Sequence, residues 1–242
     1  MNHRHPFLII ETGEPAPELR RHGPFAHWIR VAAGLPRDEA VVCRVLEGQG
    51  LPDREGFAGA IISGSGAMVT ERLDWSERSA HWLRDAAHAG LPLFGICYGH
   101  QLIAHALGGE VDWNPFGREI GTVRIERCAR TGADVLFDGL PDAFCVHATH
   151  MQSVVRLPEG AVRLARSEKD ACHAFRWGTS AWGVQFHPEF STAIMRGYID
   201  ARREKLHNEG IDRATVQRTV TAAPLARRLL RRFVRHARAT TP

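Results

Sequence analysis

The apolar positions of the first hundred residues fall into short runs separated by helical stripes. "PFLIIE" (6–11), "VVCRVL" (41–46) and "GAIIS" (59–63) are brief, apolar and β-branched, the pattern of strands buried on both faces. Between the first two, "GPFAHWIRVAAG" (23–34) sets Phe25, Trp28, Ile29 and Ala32 on one helical stripe, with Pro24 to start the helix and Gly34 to stop it. "DWSERSAHWLRDAAHAG" (74–90) repeats that period through Trp75, Ser79, Trp82, Leu83 and Ala86, with Asp74 as the expected cap and Gly90 as the end. "LPLFGI" (91–96) reads as a fourth buried strand. Strands and helices alternating in this way predict an α/β fold, an open and mostly parallel sheet with helices on both faces.

Polar alternation takes over further along. "REIGTVRIERC" (118–128), "AFCVHATHMQSVVRL" (143–157), "AVRLARS" (161–167), "CHAFRWG" (172–178) and "AWGVQFHPEF" (181–190) are closely spaced strands, expected as an antiparallel extension of the sheet. Two helical segments, about 191–208 and 213–238, end the sequence. No linker, repeat or low-complexity tract divides it, so one domain is expected over 1–242, with its core at about 6–208. The last helix carries arginines at 227, 228, 231, 232, 235 and 238. A membrane-surface or nucleic-acid patch is one reading of that charge. The other, which we adopt, is a helix packed through Leu225, Leu229, Leu230, Phe233 and Val234 with its arginines on the wet face.

Composition narrows the class. With 242 residues, 44% hydrophobic and 24% charged, the sequence is that of an ordinary folded protein able to bury a sizeable core. A formal net charge of +4 is too mild to call for nucleic acid. The start, "MNHRHPFLII", has too short an apolar run for a signal peptide, and no run reaches the roughly 18 residues of a membrane span. A soluble, cytoplasmic protein is therefore expected. The five cysteines, at 43, 97, 128, 145 and 172, are odd in number and contain no C-x-x-C pair, which argues against a disulfide framework or structural zinc.

One cysteine stands apart. "GICYG" (95–99) has the form G-x-C-x-G at the point where a buried strand becomes the helix "YGHQLIAHALGG". A residue on so sharp a turn has crowded neighbours two positions either side, where glycine fits. The turn lifts Cys97 above the carboxyl edge of the sheet and sets its sulfur at a helix N-terminus, which favours thiolate. The other four cysteines are expected in the core. A thiol nucleophile needs a base and the base an orienting group. In "WGVQFHPEF" an apolar strand ends at His187, and Glu189, two positions on, shares its face in extended backbone. Charge developing on a carbonyl oxygen also needs N–H donors. The elbow supplies that of Tyr98, and the glycine-rich turn in "IISGSGAMV" (61–69) offers more. His147, His150 and His173 lack carboxylate or cysteine partners at ligand spacing, so no metal is expected.

In order and spacing, "ISGSG" (62–66), "GICYGHQ" (95–101) and "GVQFHPEF" (183–190) resemble the class I glutamine amidotransferases of the Cys-His-Glu type, free-standing proteins similar to the glutaminase domain of GMP synthase among them. The resemblance implies a flavodoxin-like sheet, Cys97 as nucleophile, His187 as general base and acid, and Glu189 as orienting carboxylate. It further implies an oxyanion hole from the N–H groups of Ser65 and Tyr98, and substrate contacts at Gly64, Gln101, Thr149 and His150. The implied reaction is hydrolysis of glutamine, or of a γ-glutamyl compound, through a thioester. It needs no cofactor, and the ammonia it leaves would serve a synthetase or acceptor subunit on a separate chain. The alternatives are a stand-alone γ-glutamyl hydrolase and a non-catalytic glutamine-binding protein on the same scaffold. Two motifs depart from the family: Ser63-Gly64-Ser65-Gly66 replaces S-G-G-P, and Thr149-His150-Met151-Gln152 replaces S-H-G-D.

Overall fold

The computed structural model describes residues 5–128 and 134–240. The first four residues of the N-terminal stretch read for targeting lie outside that range. Strands β1 (Phe7–Glu11), β2 (Ala40–Arg44), β3 (Gly59–Ile62) and β4 (Leu93–Ile96) alternate with helices α1 (Phe25–Ala33), α2 (Asp74–His88) and α3 (Tyr98–Ala106). Next come β5 (Glu110–Trp113), β6 (Glu119–Arg127), β7 (Ala143–His150), β8 (Gln152–Arg156), β9 (Ala161–Arg166), β10 (Ala174–Trp177) and β11 (Ala181–Val184). Helices α4 (Thr192–Ala201), α5 (Arg203–Asn208), α6 (Arg213–Thr219) and α7 (Pro224–Thr240) follow.

Nine strands form one sheet in the order β2-β1-β3-β4-β11-β10-β9-β6-β7 among the described residues. The pairs from β2 through β11 are parallel and those from β11 to β7 antiparallel. This is the expected parallel sheet with its antiparallel extension. Alternation along β1 shows why both faces are covered. Phe7 and Ile9 enter the core under α1 and α7, with Trp28, Phe94, Trp182 and Phe233, while Leu8 and Ile10 enter the one under α2 and α3, with Leu83, Leu102 and Ile103. The carboxyl ends of β1, β3, β4 and β11 lie side by side, so the loops that follow them share one rim, where open parallel sheets place ligands.

Several expectations need correction. β2 is an edge strand with Val41 and Val42 exposed, not buried on both faces. The run 143–157 breaks at Met151, and β8 leaves the main sheet to pair with β5, a strand whose polar sequence had hidden it. Asp74 is the first residue of α2 rather than its cap, a place held by Leu73. The final helical segments divide into four, because Arg202 and the turn before Pro224 interrupt them. Cys43 and Cys172 are buried as expected, but Cys128 is only partly so and Cys145 is exposed. On α7, Leu229, Leu230, Phe233 and Val234 are buried, while Arg231 and Arg232 donate to the carbonyls of Ala32 and Leu136. Among the described residues no helix is long and apolar enough to cross a membrane.

Candidate active site

Cys97 sits between β4 and α3 with φ 52° and ψ −100°, one of two non-glycine residues with positive φ among those described. Such a conformation costs on the order of 1–3 kcal/mol and persists only where its surroundings enforce it. Here the Cys97 N–H donates to the Val184 carbonyl at 2.8 Å and the Gly99 N–H to that of Ser63 at 3.2 Å. The flanking glycines are obligatory. A Cβ on Gly95 would lie 2.3 Å from the Gly99 carbonyl oxygen, and one on Gly99 2.6 Å from that of Ile62. Cys97, 7% exposed as a residue, thereby lines a pocket, and the Gln185 side-chain amide donates to its sulfur at 3.6 Å.

The chain after β11 brings His187 to the same pocket. Its backbone N–H donates to the His147 carbonyl at 2.7 Å, and its ring stacks on Phe190 at 4.0 Å, which in turn stacks on Tyr198. Nδ1–H donates to Glu189 Oε1 at 2.8 Å. A carboxylate can only accept, so that bond fixes the tautomer and leaves Nε2 to serve as a base. Nε2 is buried and lacks an aligned hydrogen-bond partner among the described residues. Gly64 marks how near the thiol and the ring come: a Cβ there would lie 3.1 Å from His187 Cε1 and 3.8 Å from Cys97 Cβ. Burial pushes the thiol up, but the His187 ring and, to a lesser extent, that of His150 outweigh it and lower it overall. Burial likewise pushes His187 down, yet Glu189 and Cys97 raise it well above the imidazole range. The direction of both shifts is toward a thiolate–imidazolium pair.

The glycine turn after β3 is organised by Thr12, just beyond β1. The Thr12 N–H donates to Ser63 Oγ at 2.9 Å, whose own proton is then free for the Gly64 carbonyl at 2.9 Å. The Thr12 hydroxyl donates to the Ser63 carbonyl at 2.9 Å and is 3.2 Å from that of Gly64. With the Gly64 carbonyl held on this side, the Ser65 N–H of the same trans peptide points the opposite way. Ser65 has no positive φ, so serine instead of glycine imposes no strain there. Tyr98, first residue of α3, has an N–H with no partner within the helix, and its hydroxyl shares a hydrogen bond with Ser76 at 2.6 Å.

Of the candidate substrate contacts, Gln101 lines the pocket, and its amide donates to the Gln152 carbonyl at 2.7 Å and Gln185 Oε1 at 2.9 Å. Thr149 lines it with its hydroxyl buried and unpartnered among the described residues. His150 lines it too, but both its ring nitrogens are engaged: Nδ1 with the Gln152 carbonyl at 3.0 Å and Nε2 with Glu119 Oε2 at 2.9 Å. It therefore has no ring nitrogen to offer a ligand. Glu119 also corrects the expectation that these histidines lack a carboxylate, since His173 Nε2 stands 2.6 Å from the same oxygen. The three donor atoms lie within 4.8 Å of one another. Contacts of 2.6 and 2.9 Å between a carboxylate and imidazoles are hydrogen bonds, and Ser167 donates to Oε1 at 2.7 Å besides. Thr12 and Glu119 carried no signal in the sequence beyond their residue type, and Gln185 lay within "GVQFHPEF" with no role assigned to it. Charged side chains of both signs line the pocket as well: Glu14 and Glu18, and the cations Arg118, Arg202 and Lys205. The Arg202 guanidinium lies 4.7 Å from the Tyr198 ring centre.

Residues 44–199 match the family model described as glutamine amidotransferase class-I. A glutamine-hydrolysing GMP synthase subunit from Methanopyrus kandleri is 33% identical over 175 residues, 71% of this chain and 87% of that one. The GMP synthase of Aeropyrum pernix is 36% identical over 171 residues, 69% of this chain but only 31% of the longer protein. This chain thus spans about a third of such longer relatives. Among solved structures, a glutamine amidotransferase from Thermotoga maritima shares the fold at TM-score 0.76 and 22% identity, covering 99% of this chain and 100% of that one. One from Methylobacillus flagellatus does so at 0.73 and 25%, covering 98% and 94%. With an elbow cysteine, a carboxylate-oriented histidine and this kinship over most of its length, the chain belongs to the class I glutamine amidotransferases.

Proposed function

We propose that this chain hydrolyses the γ-amide of glutamine, or of a γ-glutamyl compound, through a thioester on Cys97. The Cys97 thiolate attacks the γ-carbonyl carbon and the π pair moves onto oxygen, facing the N–H groups of Tyr98 and Ser65. When the C–N bond breaks, His187 gives its Nε2 proton to the departing nitrogen, which leaves as ammonia or amine. Neutral His187 then takes a proton from water, whose oxygen attacks the thioester and expels the thiolate, releasing glutamate. Glu189 keeps the ring in one tautomer throughout. The observation that carries this reading is the 2.8 Å His187–Glu189 bond beside a strained elbow cysteine in one pocket.

Charges lining the pocket suit the other end of the substrate. An α-ammonium finds Glu14 and Glu18, and an α-carboxylate finds Arg202, whose guanidinium rests on Tyr198. On this reading the ammonia passes to a synthetase on a separate chain. Kinship to a relative that is itself one subunit of a GMP synthase supports that arrangement. The test is release of ammonia from glutamine, and of amine from γ-glutamyl peptides, by the purified chain with and without a synthetase partner. Turnover of either substrate that disappears in Cys97→Ala is the expected result. Turnover that survives in a clean preparation of that variant would refute the assignment.

A further inference from the structure

We propose that His150 is a permanent imidazolium in the same pocket as the Cys97 thiol, a second fixed cation of the site, and that Glu119 is the positioning residue that keeps it charged. The inference rests on Cys97 being the attacking thiol and adds a group that the triad does not include.

Proton counting leads there. His150 Nδ1 is 3.0 Å from the backbone carbonyl of Gln152, which can only accept. Its Nε2 is 2.9 Å from Glu119 Oε2, and that carboxylate also receives His173 Nε2 at 2.6 Å and the Ser167 hydroxyl at 2.7 Å. Three donors on one carboxyl hold it ionised. A ring placed between a carbonyl and a carboxylate satisfies both only with two protons, hence as a cation. His173 needs a proton on Nε2 alone, and its buried Nδ1 has no partner among the described residues, as a neutral ring allows.

The surroundings agree. Register pairs Glu119 on β6 directly with His150 on β7. Besides Glu119, His150 has near it Asp170, with Oδ2 at 3.9 Å from Nδ1, His173, His100 on α3 and Cys97, and its pocket is also lined by His187 and by Arg118, which is paired with Glu209. His100 is pushed down to about 4 by burial, so it brings no competing charge. Burial also opposes charge on His150, but the Glu119 hydrogen bond and the charges of Asp170, Glu119 and Cys97 hold it above the imidazole range. His150 lines the pocket together with Cys97, whereas Glu119 does not. The cation and the thiol thus share one pocket while the counterion lies outside its lining, so the pair acts on the sulfur mainly through its positive end.

Two measurements test this. In the intact wild-type protein, nitrogen NMR of the histidine side chains, with the His150 signal identified by its loss in His150→Gln, should show both ring nitrogens protonated at pH 7.5. A neutral His150 there overturns the proposal, whatever the variants do. In Glu119→Gln, the midpoint of Cys97 alkylation by iodoacetamide against pH, with Cys97→Ala as background, should rise by about one unit, the scale of losing one nearby buried charge. The acid limb of kcat/KM should move the same way. An unchanged midpoint in a folded variant overturns the proposal. So does loss of wild-type activity on chelation that a divalent metal restores, because the three donors would then be holding an ion. Failure of Cys97 as nucleophile would show separately, as turnover persisting in Cys97→Ala.

Discussion

Removing the hydroxyl of Ser63 is the sharpest probe of the oxyanion reading. Ser63 is fully buried and touches no substrate path; its Oγ accepts the Thr12 N–H at 2.9 Å and donates to the Gly64 carbonyl at 2.9 Å. In Ser63→Ala the Gly64 carbonyl retains only the Thr12 hydroxyl at 3.2 Å, which it shares with the Ser63 carbonyl at 2.9 Å. The 64–65 peptide is then freer to rotate and turn its N–H out of the pocket. One such bond is worth about 0.5–1.5 kcal/mol, so kcat should fall roughly 2- to 12-fold. Losing an oxyanion donor outright costs about 10²–10³, a level that Ser63→Ala combined with Thr12→Val should approach. Because the N–H would act on the transition state, the loss should appear in kcat with KM unchanged. The orphaned Thr12 N–H should also lower stability by about 1–3 kcal/mol. Steady-state ammonia release and a thermal melt read both effects. A lower melting temperature with unaltered kcat would refute the reasoning, leaving Ser63 a structural residue alone.

Other expectations follow from the same geometry. Because the imidazoles lower its thiol, Cys97 carries a larger thiolate share than an ordinary cysteine at mildly acid pH, so iodoacetamide at pH 6 should label Cys97 faster than the exposed Cys145, read by peptide mass spectrometry. Arg202→Met should raise KM for glutamine about tenfold, with kcat little changed, since one charged hydrogen bond to the α-carboxylate is worth about 1.5 kcal/mol or more. Gly95→Ala should not give folded protein, because its Cβ would overlap the Gly99 carbonyl at 2.3 Å; circular dichroism decides. Phe233→Ala, which empties the contact of α7 with Phe7, Phe94 and Trp182, should cost about 3–5 kcal/mol in a denaturant titration.

What could be read from the sequence, and what could not, divides by the range of the interactions. The elbow is a five-residue device, and the clash that dictates Gly95 involves Gly99 four positions on, so its spacing is written where it acts. His187 and Glu189 are likewise two positions apart and declare themselves together. The strand-helix rhythm is local as well, and it carried the parallel half of the sheet. By contrast, Thr12 acts on Ser63 across neighbouring parallel strands, 51 positions away, and nothing near Thr12 marks it. Glu119 meets His150 only because β6 and β7 pair in one register. A slip of one residue would turn the carboxylate to the other face, and no local pattern distinguishes the two. β5 was missed for a related reason: its residues Glu110–Trp113 are largely exposed, so their periodicity reports solvent rather than core. The groups that perform the proposed chemistry are therefore legible from short spacings, while those that hold them in their charge states and orientations are fixed by register. That is why Ser63→Ala and Glu119→Gln, rather than further changes to Cys97 or His187, discriminate between a site assembled by motif and one assembled by the sheet.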